Sequence, residues 1–196
     1  MTNATNTSGP AWATDVFLPQ VLERTGDMIA APIEHPEMFW IVVPLVISLI
    51  ILIIYFIKHE KEELGWNTAL SNSLLLVFVS IDLLRYVYTN PYAEQPIILG
   101  NFALPLKTII ALVVLFEGFS LAFADFFHFL PRKVAFFISS IIPVNLTAYV
   151  ATTIVYTTIP FDIITITAAI FLFVILITIL EAAKHMHAQA KKKPKK

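Results

Sequence analysis

Glu117 is the group in this chain most able to do chemistry, because it lies mid-way along an apolar stretch of bilayer-spanning length. Residues 104–130, LPLKTIIALVVLFEGFSLAFADFFHFL, contain three other ionisable side chains, Lys107, Asp125 and His128. At 3.6 residues per turn, Lys107, Val114, Glu117, Gly118, Leu121, Asp125 and His128 fall within roughly a third of the helix circumference. Ionisable groups in hydrocarbon are costly, so such a stripe turns toward protein partners or trapped water. A lone carboxylate at mid-depth either holds a proton or needs a cation or water beside it. Gly118 lets another backbone or a solute come close. His128 adds a pH-sensitive imidazole near one mouth of the stripe.

Two further stretches offer partners. Residues 67–88 place Asn67, Ser71, Phe78, Asp82 and Arg85 on one face that runs on to Thr89. Asp82 and Arg85, at i and i+3 and of opposite sign, can pair and lower each other's burial cost. Residues 134–159 align Asn145, Tyr149, Thr152 and Tyr156, with Pro143 expected to bend the helix. By depth, Glu117 and Asn145 are expected to meet near the bilayer midplane. Asp82, Arg85, Lys107, Thr152 and Tyr156 collect in the outer half, and Asp125 and His128 near the inner mouth beside Arg132 and Lys133. A ladder of exchangeable groups from face to face is the expectation.

The elements that must position these groups follow from composition and hydropathy. Of the 196 residues 58% are hydrophobic and only 14% charged, with a mean hydropathy of +0.79. Soluble domains average nearer 45–50% apolar and about 25% charged, so lipid is the expected solvent. The fold class is all-α: a polytopic membrane protein of five transmembrane helices, at 38–57, 67–88, 104–130, 134–159 and 163–183. Spans two to four form the inner bundle, and one and five its lipid-facing flanks. Residues 1–37 read as an exported polar tail. Within it, 14–29 has helical amphipathic spacing and lies either on the membrane surface or against the helix ends. Asn3 and Asn6 fit the glycan acceptor pattern.

Residues 184–196 are a basic inner tail. Ten of the thirteen Lys and Arg fall on one side, which sets the N-terminus outside and the C-terminus inside. Lys191, Lys192, Lys193, Lys195 and Lys196 are expected to meet anionic headgroups, in a plasma membrane.

Several chemistries are excluded or unsupported. The absence of cysteine removes disulfides, thiolate metal sites and cysteine nucleophiles. The five histidines are scattered without metal-ligand spacing, and no glycine-rich phosphate loop occurs, so no cofactor is expected. Nothing points to nucleic acid. The sequence favours a conduit for protons, cations or a small polar solute, with Glu117 central and Asp82, Arg85, Asp125 and His128 as relays. The alternative is a non-catalytic subunit or scaffold of a membrane complex; an intramembrane acid–base enzyme is a more distant third. Five helices leave little room for a pore, so a homo-oligomer or a membrane-protein partner is expected.

Overall fold

The computed structural model describes residues 13–58, 65–90, 96–99 and 102–192. A π-turn, Ala13–Phe17, leads into α1 (Leu18–Glu34), and a 3-10 turn, Pro36–Met38, joins it to α2 (Phe39–Lys58). Next come α3 (Trp66–Thr89), strands β1 (Pro96–Leu99) and β2 (Phe102–Pro105), and α4 (Leu106–Phe127). The chain ends in α5 (Arg132–Ile138), α6 (Ile141–Tyr156) and α7 (Ile163–Lys192). Among the described residues five stretches are long and apolar enough to cross a membrane: Pro36–Tyr55, Trp66–Thr89, Leu106–Phe127, Arg132–Tyr156 and Ile163–Ala183. At 1.5 Å per residue, about 20 residues match a hydrocarbon layer of roughly 30 Å.

These stretches alternate in direction, so the bundle has two ends. At one, here the Pro160 end, α2 and α4 begin, α3 ends, and α6 turns into α7. The other, the Arg132 end, holds the start of α3, the end of α4 and all of α5. The buried core joins Met38, Ile41 and Leu45 to Leu76 and Leu83 of α3, Ala111 and Val114 of α4, and Val144, Ala148 and Val155 of α6. α6 is buried around most of its circumference, whereas α2 and α7 leave most of theirs uncovered.

Three details refine these expectations. The helical class stands, with a short hairpin added in the connection before α4. Its strands pair antiparallel, Pro96 with Pro105 and Leu99 with Phe102. The sequence carries the reason, since Ile97, Ile98, Leu99 and Phe102 are strand formers flanking a Gly100-Asn101 pair. Secondly, the expected fourth span is two helices. It breaks at Ser139 and Ser140, four and three residues before Pro143. A proline ring clashes with the carbonyl four residues back, and that carbonyl belongs to Ser139.

The third concerns the N-terminal tail: of its two expected placements, packing on protein is the one seen. Val21 and Met28 of α1 pack with Ala168 and Leu172 of α7, and Phe17 and Leu146 border them. The Tyr149 hydroxyl donates to the Met28 carbonyl at 2.7 Å, and Arg24 Nη1 donates to Thr165 Oγ1 at 2.9 Å. Arg24 also stands 3.9 Å from Asp162 in the turn after α6.

Candidate functional site

At the Pro160 end the polar groups close on one another. Arg85 places Nε at 2.8 Å and Nη2 at 2.6 Å from Asp82 Oδ1. The Tyr156 hydroxyl, 74 residues along, donates to Asp82 Oδ2 at 2.8 Å. The Tyr86 ring stacks on Tyr156 with centroids 3.8 Å apart. Both oxygens of this carboxylate are therefore engaged, one by a cation and one by a phenol. Lys107, buried at the start of α4, donates from Nζ to the Thr157 carbonyl at 2.8 Å. That carbonyl stands just past the C-terminus of α6, where the helix dipole favours a positive charge.

The α3 stripe read from the sequence faces outward. Asn67, Ser71, Phe78, Arg85 and Thr89 are exposed, and only Asp82 is drawn inward. Its polar members are satisfied locally: Ser71 donates to the Asn67 carbonyl and Thr89 to the Arg85 carbonyl. Side chains that bond their own backbone need no partner helix. The face that α3 buries instead carries Asn72, Ser73 and Ser80.

The α4 stripe turns inward along Lys107, Ala111, Val114, Gly118, Ala122 and Asp125. Gly118 allows the contact with α3. A Cβ there would stand 2.9 Å from the Val77 amide nitrogen and 3.0 Å from Leu76 Cβ. The glycine thus admits a neighbouring backbone. Glu117 lies about 80° round the helix from Lys107 and Asp125 at 100° per residue, and so sits at the margin of the buried face. It is half-buried in a cavity of about 360 Å³ between α4, α6 and α7, lined by Ile110, Val113, Thr147, Val150, Ile154 and Phe161 among others. Among the described residues Glu117 has neither a hydrogen bond nor an ion pair. Asn145 is buried, with Nδ2 donating to the Ile141 carbonyl of its own helix. The expected meeting of Glu117 with Asn145 is not made.

At the Arg132 end Asp125 is 1% exposed, and the Ser73 hydroxyl stands 2.8 Å from its Oδ2. Asn72, the preceding residue, donates from Nδ2 to the Ser139 carbonyl at 2.8 Å. Among the described residues three buried oxygens there and along α6 have no hydrogen-bond partner: Asp125 Oδ1, Ser139 Oγ and Asn145 Oδ1. His128 is exposed, caps α4 in the left-handed conformation (φ 56°), and lies tilted against the Trp66 ring with centroids 4.1 Å apart. The carboxylate and the imidazole, one turn apart in sequence, occupy different surroundings.

Outside the spans, Asp162 feels opposing influences. Burial pushes its carboxyl up, but the amide and hydroxyl of Thr165 and the charge of Arg24 pull harder, leaving it below the usual carboxylate range. Sequence reasoning missed Ser73, Asn72 and Ser139, whose signal is no more than a small polar residue within an apolar span.

Lys191 and Lys192 belong to the last turn of α7. Lys193, Lys195 and Lys196 lie outside the described residues, as do Asn3 and Asn6. Among the described residues no three His, Asp or Glu side chains gather as metal ligands. Compared with protein-family models, with curated proteins and with solved structures, the chain finds no match.

Proposed function

We propose that this is an integral membrane protein serving as a non-catalytic subunit of a larger membrane assembly. The groove around Glu117 receives a transmembrane helix of its partner. The single observation that carries this reading is Glu117 itself, half-buried between α4, α6 and α7 in an almost wholly apolar cavity and unpartnered among the described residues. A carboxylate so placed is satisfied by a cationic or hydrogen-bond-donating residue brought in on an apolar helix. Exposed Trp40 and Tyr88 at the Pro160 end, and Trp66 at the other, supply the aromatic residues expected at bilayer interfaces.

The conduit expected from the sequence has less support. Apart from Glu117, Asn145 and Tyr149, which do not meet one another, its polar groups gather toward the two ends, and between them the core is packed with Leu76, Val79, Leu83, Val114 and Ala148.

The test is to isolate the full chain in mild detergent and photo-crosslink from Val113 at the rim of the groove. The expected result is a protein adduct of fixed stoichiometry that falls at least tenfold in Glu117→Leu, with the fold retained. A lone monomer cross-linked only to lipid would overturn the proposal. So would proton flux in reconstituted vesicles that disappears in Glu117→Gln, which would restore the conduit.

A further inference from the structure

Two points fix the level of α1 against the bundle. Arg24 reaches Thr165 and Asp162 where α6 turns into α7, and at Pro36 the chain enters the first crossing stretch. Between those points the helix runs along the Pro160 end, near the plane in which the spans begin and end. It also sits slightly inside that plane. Its buried row meets Ala168, about 8 Å past the start of α7, and its Met28 carbonyl accepts from Tyr149, about 10 Å before the end of α6. Interfacial helices bury their apolar faces by roughly 5–10 Å at the boundary of headgroups and acyl chains.

The rows of α1 fit that position. At 100° per residue the buried row, Val21, Thr25, Met28 and Pro32, is centred about 80° from the exposed apolar row, Leu18, Leu22, Ile29 and Ile33. The exposed polar row, Gln20, Glu23, Asp27 and Glu34, lies about 140° from each. A helix in the corner between a protein wall and a lipid layer has these three directions: protein to one side, hydrocarbon near a right angle to it, water opposite both. Arg24 shows which way is out. It projects midway between the buried and polar rows and reaches toward Asp162, in the turn that closes the Pro160 end. The exposed apolar row lies on the other side of the buried row, and so points back toward the middle of the spans. Its side chains are Leu and Ile alone, with no hydrogen-bonding group to specify a protein partner.

We infer that α1 is an interfacial helix whose row of Leu18, Leu22, Ile29 and Ile33 is seated in the acyl chains of the leaflet at the Pro160 end. Protein holds one row and lipid the next. The inference rests on the integral-membrane reading above and is independent of the partner at Glu117.

Because the chain has no cysteine, single-cysteine variants carry a nitroxide at one chosen place. The full chain is set in phosphatidylcholine nanodiscs, neutral because anionic headgroups would repel the carboxylates of the polar row. Collision with oxygen, which partitions into lipid, is compared with collision with a water-soluble nickel chelate. The oxygen-to-nickel ratio at Leu22→Cys and Ile29→Cys is expected to exceed that at Glu23→Cys and Asp27→Cys by about threefold or more. It should approach that at Ile50→Cys, exposed midway along α2. Equal ratios on the two rows of α1, with a high one at Ile50, would overturn this inference alone. Labels at Leu22 and Ile29 shielded from both reagents would also overturn it, by revealing a protein cover. A low ratio at Ile50 would end the integral-membrane reading and this inference with it.

Discussion

Gly118 and Gly26 are both helical glycines with opposite surroundings, and they make a matched pair for mutation. An added Cβ at Gly118 meets the α3 backbone at Val77, whereas at Gly26 it meets nothing within 4 Å. Gly118→Ala is therefore expected to destabilise by about 1–3 kcal/mol through overpacking. Gly26→Ala is expected to be neutral or to stabilise by up to about 1 kcal/mol. Thermal unfolding of both in the same detergent checks this, and equal effects would refute it. Tyr156→Phe keeps the ring stacked on Tyr86 but removes the bond to Asp82. Hydrogen bonds to charged groups contribute roughly 1.5–3 kcal/mol, and partial exposure of Asp82 places this one at the lower end. An unfolding midpoint equal to that of the parent would show the phenol to be idle. At this scale the sequence is readable within a helix and opaque between helices. The Asp82–Arg85 pair follows from i,i+3 spacing. Tyr156 on Asp82 and Ser73 on Asp125 depend on the mutual rotation of two helices, which no single helix's periodicity contains.

Among the elements, α1 has three faces, each with a different neighbour. Val21, Thr25, Met28 and Pro32 are buried against protein; Leu18, Leu22, Ile29 and Ile33 are exposed and apolar; Gln20, Glu23, Asp27 and Glu34 form an exposed polar face. Two-faced amphipathicity was legible in the sequence. Which apolar residues meet protein was not, because both apolar rows look alike in one dimension. The docked row is held by Arg24 on Thr165 and Asp162. Arg24→Ala should raise amide exchange through α1 while leaving α3 and α4 protected, and unchanged exchange would dismiss the latch. The same contact carries a pH dependence. The Asp162 carboxyl is lower in the folded protein than its unfolded value of about 3.9. Its contribution is thus complete above that value and is lost as pH falls through the folded one. Protection of α1 should stay level from pH 7 to 5 and decline only below the ordinary carboxylate range. A decline near pH 6 would point to a different group. The α5–α6 break follows from Pro143 meeting the Ser139 carbonyl; the sequence reading anticipated a bend and understated it.

For the whole molecule, the spans were legible because hydropathy over about 20 residues is a bulk property, insensitive to the contacts of any one side chain. Side-chain partnering was not, since a half-satisfied polar stripe and a fully self-satisfied one read alike. Five crossings would put the chain's two ends on opposite sides. The clustering of lysine and arginine beyond the Arg132 end leads us to propose that end as cytoplasmic. Impermeant reagents applied to intact cells should reach an N-terminal tag and miss a C-terminal one, and the reverse labelling would invert the assignment. The last helix extends this picture. α7 continues to Lys192, nine residues past the crossing stretch that ends at Ala183. That is about 14 Å of additional height, against the roughly 5–7 Å that headgroups occupy on each side of the hydrocarbon layer. In a bilayer, a mast of this length would hold the end of the α7 backbone at about the distance, roughly 8 Å from the headgroups, where ionic strength decides how much of their charge is felt.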